Sequence, residues 1–148
     1  MKKQRGFSLI ELLIVVAIIL IIAAIAIPNL LRARIAANEA SAVESLRTIV
    51  TAEVTYASTY GTGYTSLVNL GSSGLIDNVL SNGRKSGYTF QVAPAGGSGT
   101  SVDPFTTFTS TGIRQNSNTG TRMFCTDSSG VIRYVITTGC DSSSPPLQ

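Results

Sequence analysis

The sequence has no histidine and no tryptophan, only two cysteines, and charged residues make up just 13% of its 148 positions. Without histidine, the Ser-His-Asp and Cys-His arrangements for nucleophilic catalysis are excluded, and so is the imidazole that most zinc sites use. A zinc site would need two thiolates and carboxylates, an unusual set. Asp77, Asp103, Asp127 and Asp141 are scattered and match no calcium-loop spacing. A Ser-Lys dyad around Lys85, flanked by Arg84 and Ser86, is conceivable, but a solvated loop charge explains that lysine more simply. These absences point to a chain that is not an enzyme and needs no cofactor or metal.

The apolar residues are unevenly spread. Leu12 to Ile27 is uninterrupted Leu, Ile, Val and Ala, with Phe7–Ile10 before it and Leu30–Leu31 after it. A helix over about 25 such residues is roughly 37 Å long, enough to cross a hydrocarbon core of ~30 Å. Lys2, Lys3 and Arg5 precede the run, so residues 1–6 are expected on the cytoplasmic side and the remainder outside. The net charge of +3 is the charge of those three residues, because the other eight Lys+Arg balance eight Asp+Glu. The hint of nucleic-acid binding in the basic balance mostly vanishes if those residues are removed, and Arg114, Arg122 and Arg133 are too few to assert a patch, so nucleic acid stays an open partner.

An ordinary secretory signal peptide is the alternative, with Ala24-Ile25-Ala26 as its small-x-small cleavage site. Against it stand the length of the apolar run, the acidic Glu11 within it, and the helical pattern that continues past the supposed cut. An ionisable group in a membrane span costs roughly 2.5–3.5 kcal/mol on insertion scales, so Glu11 needs a partner or a task. If the Gly6–Phe7 bond is cut, a new α-amine appears at Phe7, four residues from Glu11, and the two charges can pair within or between chains.

Gly6-Phe7-Ser8-Leu9-Ile10-Glu11, with the short basic leader, the apolar run and Pro28 in register, resembles the signal of type IV prepilins and pseudopilins. The resemblance implies cleavage after Gly6 by a membrane prepilin peptidase, which also methylates the exposed Phe7. It implies that Glu11 aligns incoming subunits, and that Pro28 kinks the helix. The implied partners are further copies of the chain in a helical filament, the inner membrane, the peptidase/methyltransferase, and an assembly platform with its ATPase. The implied role is a structural pilus subunit, with adhesion, twitching motility or DNA uptake as its outputs. The alternative is a pseudopilin of a type II secretion system. The location follows: inner membrane with a cytoplasmic N-terminus and periplasmic globular part before assembly, extracellular filament afterwards.

Three segments are expected: a leader over 1–6, a membrane or filament-core helix half over 7–31, and a globular part with the second helix half over 32–148. Pro28 lacks an N–H and bends the helix, but helical character resumes, since Asn29 to Tyr60 holds no Pro or Gly. Val43, Leu46, Val50, Val54 and Ala57 draw one apolar stripe, with Glu39, Glu44 and Arg47 off it. Gly61 ends the helix. Residues 61–87 form a Gly- and Ser-rich connection with a helical turn near Leu75–Leu80.

The period then changes to two. Tyr88, Phe90 and Val92 read as a strand, Phe105–Ser110 as a weaker one, and Arg122–Thr126 and Val131–Thr137 as a hairpin about Asp127-Ser128-Ser129-Gly130. The expected fold is α+β: a long N-terminal helix against an antiparallel sheet of three or four strands. Tyr56 and Tyr60, four apart on the helix, could stack on each other, but packing on that sheet explains them more simply.

In an exported chain a Cys125–Cys140 disulfide is favoured, with two buried free thiols as the alternative; closing a loop of ~15 residues is worth roughly 3 kcal/mol. Hairpin symmetry sets Cys125 opposite Ile132, so the chain after Thr137 must fold back for the thiols to meet. A disulfide-closed C-terminal loop also resembles type IVa pilins, and this favours pilin over pseudopilin. Ser142-Ser143-Ser144-Pro145-Pro146 reads as a mobile polar tail.

Overall fold

The computed structural model describes residues 7–137 and 139–147. They fall into two units that divide between Arg34 and Ile35. Helix α1, Leu9–Tyr60, is continuous through Pro28. It ends where Gly61 takes a left-handed φ of 68° and bonds its N–H to the Ala57 carbonyl, a conformation that favours glycine.

Two short helices follow, α2 at Leu67–Ser72 and α3 at Asn78–Ser81. Asp77 caps α3, its carboxylate accepting from the Leu80 N–H at 2.7 Å. That bond and the Lys85 ammonium hold the Asp77 carboxyl below its usual value. Lys85 is thus paired, at 2.9 Å, and is not a free loop charge.

The sheet is an antiparallel meander in the order β1 (Arg84–Lys85), β2 (Tyr88–Ala95), β3 (Thr107–Arg114), β4 (Met123–Asp127) and β5 (Arg133–Val135). The α+β architecture is the expected one. The sheet has five strands, more than the three or four expected, because the two-residue β1 adds an edge too short to leave a period. The strand expected over Phe105–Ser110 is β3, which starts later, at Thr107, and runs further, to Arg114.

Asp127 organises the β4–β5 loop, accepting the Ser129 N–H on its side chain and the Gly130 N–H on its carbonyl. Its register differs by one position from the hairpin symmetry: Cys125 lies opposite Arg133, not Ile132. The loop carries one more residue than the symmetric reading allowed.

Phe90, Gly112, Phe124 and Tyr134 form one cross-strand row. A Cβ on Gly112 would sit 3.1 Å from the Phe90 ring, so the missing side chain gives that ring its space. Leu46 and Ile49 of α1, Leu70 and Leu80 of the short helices, and Tyr88, Phe90 and Phe124 of the sheet close into the core.

The helix face in this core is not the expected stripe. Ala42, Leu46, Ile49 and Glu53 are buried, whereas Val54 is 54% exposed. The face is turned by about one position. Small residues, Ala42, Ser45 and Ala52, let the sheet and short helices approach closely, which a count of large aliphatic side chains misses. Tyr56 and Tyr60 pack on each other, ring centroids 4.4 Å apart, and Tyr60 stays half exposed.

The polar tail is also ordered differently from the expectation. Tyr134 donates its N–H to the Pro145 carbonyl and Leu147 donates to Ile132, while Ser144 is buried and accepts from Arg133. Residues 144–147 pair along the outer side of β5. The two prolines are tolerated there because the outer partner of an edge strand can do without their N–H groups.

Candidate functional site

The first candidate is the start of α1. Among the described residues, α1 is the one helix long and apolar enough to span a membrane by length and composition, and no part of its most apolar stretch is buried. Its aliphatic side chains are exposed on every side, from Leu9 and Ile10 through Ile27 to Leu30. A helix apolar all round is stable only when something apolar covers it.

Phe7 is 78% exposed at the head of this helix. Gly6, and with it the bond expected to be cut, lies outside the described residues. Ser8 stands at the N-cap, and its N–H donates to Glu11 Oε2 at 2.9 Å. Glu11 is at the third helical position, so the pair forms half of a capping box. The sequence carries the signal, Ser-x-x-Glu before an apolar run, and it gives Glu11 a capping role beside the expected pairing with an amine and alignment of subunits. Pro28 sits inside the same exposed segment.

The second candidate is the disulfide-closed end of the sheet. Cys125 on β4 and Cys140 are joined, with Cα atoms 5.8 Å apart. Asp141 next to it accepts from the Ser143 N–H and hydroxyl, which hold its carboxyl below the ordinary value. A concavity of about 230 Å³ beside the bridge is lined by Thr109, Thr111, Asp127, Arg133 and Ser142. Among the described residues no cluster of metal-ligating side chains is present.

Glu39 is the residue the sequence reading misplaced. It is only 5% exposed, not off the buried face. Oε1 accepts from Thr121 N at 2.8 Å, Thr121 Oγ1 at 2.6 Å and Arg122 N at 3.0 Å. Oε2 accepts from Arg122 Nε and Nη2, both at 2.8 Å. Burial pushes this carboxyl up, but the bonds from Thr121 and Arg122 outweigh it and hold its pKa below the usual value.

The Arg122 guanidinium also lies 5.5 Å from the ring centroids of both Phe124 and Tyr134. Gly120 makes the turn possible, since a Cβ there would overlap the Tyr88 hydroxyl, which donates to the Arg122 carbonyl. This cluster fastens α1 to the start of β4. Its role is structural.

Residues 1–27 match the family model described as the prokaryotic N-terminal methylation motif. The chain is 42% identical over 82 residues to the type IV wide pilus major component PilA4 of Thermus thermophilus, a stretch covering 53% of this chain and 63% of that protein. It is 46% identical over 54 residues to the type IV major pilin protein PilA of Myxococcus xanthus, covering 36% of this chain and 24% of that one. The matched stretches thus span less than two thirds of either relative.

Proposed function

We propose that this chain, whose first 27 residues carry the prokaryotic N-terminal methylation motif and which is similar to two type IV pilins, is the structural subunit of a type IV pilus. The observation that carries the reading is α1: its first half is apolar on all sides and unburied, with a single carboxylate, Glu11, near its head. Lipid covers such a helix first and neighbouring helices cover it later.

In this reading residues 1–6 are the leader, 7–31 the membrane and filament-core half, and 32–148 the part outside the membrane. A prepilin peptidase cuts after Gly6 and methylates Phe7. Pro28 is the point at which the exposed helix half bends. The chain waits in the inner membrane, N-terminus in the cytoplasm, and an ATP-driven platform moves it into a filament of like subunits. Adhesion or motility is an output of that filament.

Moving Leu12–Ile27 from lipid to helix neighbours exchanges one apolar surrounding for another and yields little by itself. Close packing and the pairing of Glu11 with a Phe7 amine bias the step. A pseudopilin has the same first half, but both named relatives are pilins and the Cys125–Cys140 bridge accords with that branch.

Mass spectrometry of filaments sheared from cells tests the proposal. The dominant species should be a chain beginning at methylated Phe7. A mature chain beginning at Ile27, as a secretory cut would leave, overturns it.

A further inference from the structure

From the charges that follow the apolar half of α1 we infer that Arg32 and Arg34 bind the phosphates of anionic phospholipid headgroups on the side of the membrane facing the globular part. The inference rests on the membrane-stored state proposed above and adds a ligand to it.

Leu9 to Leu31 spans roughly 35 Å as helix, close to the thickness of a hydrocarbon core. The two arginines therefore arrive at headgroup depth. Both are exposed, and neither has a hydrogen bond or an ion pair among the described residues. No carboxylate stands three or four positions from either one.

The next carboxylate along the chain is Glu39, already engaged by Arg122. Arg47 and Lys85, by contrast, each face a carboxylate, Glu44 and Asp77. No aromatic residue occurs between Phe7 and Tyr56, so this end of the span lacks the Trp/Tyr belt that usually fixes helix depth. The arginines are left to do it.

Two positions apart on a helix, they point about 200° from each other and cannot share one phosphate. Each holds a separate headgroup, and together they form a collar. The guanidinium fork matches phosphate oxygens in pairs, and its aliphatic stem lies along the apolar helix.

Positive charge on this side runs against the positive-inside rule, and once Lys2, Lys3 and Arg5 are removed nothing on the cytoplasmic side outweighs it. Anionic headgroups supply the missing counter-charge. Entry into a filament then has to strip these phosphates from the helix.

The test is the lipid selectivity of the full chain in vesicles, read with spin-labelled phosphatidylglycerol against spin-labelled phosphatidylcholine. Lys2→Gln/Lys3→Gln/Arg5→Gln serves as the background, so that the leader's cations do not contribute. In it, the chain should prefer phosphatidylglycerol about two- to fivefold at low salt, fading at 0.5 M salt. Adding Arg32→Gln and Arg34→Gln should bring the preference to about one, while Arg32→Lys with Arg34→Lys should retain part of it.

Unchanged selectivity in the glutamine variant overturns the inference while leaving the membrane-stored state intact. A chain that protease protection shows not to span the vesicle bilayer overturns both.

Discussion

The Ser8 N–H donates to Glu11 Oε2 at 2.9 Å, so the one carboxylate in the apolar half of α1 already has a partner within its own first turn. Two tasks then compete for the same oxygens: capping this helix, and receiving an amine from a cleaved N-terminus. Glu11→Gln separates them, because an amide still caps at the third position but carries no charge. We expect Glu11→Gln and Glu11→Ala alike to insert and be trimmed, yet to give few filaments in a shearing assay. Normal filament yield from Glu11→Gln would mean that the cap, not the charge, is what assembly needs.

The Glu39–Arg122 cluster predicts a stability effect far from the helix head. Removing one partner of a buried, hydrogen-bonded ion pair costs about 3–5 kcal/mol, and here Glu39→Ala also abandons the Thr121 and Arg122 N–H donors. Arg122 is partly exposed, so Arg122→Ala should cost less, about 2–3 kcal/mol. Chemical unfolding of the full chain in detergent measures both, and a double-mutant cycle should return a coupling above 1 kcal/mol. Losses that simply add would show that the two residues act separately.

How much of this was legible in the sequence depended on how far apart the interacting residues lie. The membrane-length helix, its Gly61 stop and the Asp127–Gly130 hairpin are local patterns, and all three are in the structure. Glu39 looked like a solvated helix charge because its partners, Thr121 and Arg122, lie more than eighty residues away in a stretch rich in Gly, Asn and Thr. Glu53 was invisible although its one partner, the Thr65 N–H, is only twelve residues on, because a loop N–H carries no side-chain signal. The tail looked mobile by composition, whereas its order comes from main-chain bonds to Ile132 and Tyr134 and from the Arg133 side chain, none of which composition reveals.

That tail and the disulfide form one fastening, and they should fail together. Cys125–Cys140 closes a loop of 15 residues in separation, and its loss is worth about 3 kcal/mol on the chain-entropy account. In Cys140→Ser the bonds from Arg133 to Ser144 and from Leu147 to Ile132 no longer have a tether upstream. We expect a lower melting temperature and faster amide exchange at Tyr134 and Leu147, with exchange at Phe90 little altered. Equal exchange at Tyr134 in both proteins would show that the strand-like tail holds without the bridge.

Glu53 sets the sign of the pH dependence between about pH 4.5 and 7. It is fully buried; one oxygen accepts the Thr65 N–H at 2.8 Å and Oε1 has no hydrogen-bond partner. Burial raises its pKa from 4.5 to about 7, and the single N–H offsets only part of that. Between those values the folded chain holds a proton that the unfolded chain has released. Stability therefore falls as pH rises from about 4.5 to about 7 and stays lower above it, by roughly 3 kcal/mol. Glu39 works the opposite way: its depressed pKa stabilises the fold above its unfolded value, and that contribution is lost as pH falls. From these two groups the fold should be most stable near pH 5. Glu53→Gln, which cannot ionise, should remove the decline between about pH 4.5 and 7 and be the more stable protein at pH 8. Melting curves of the two proteins that overlay between pH 5 and 8 would refute a buried, proton-holding Glu53.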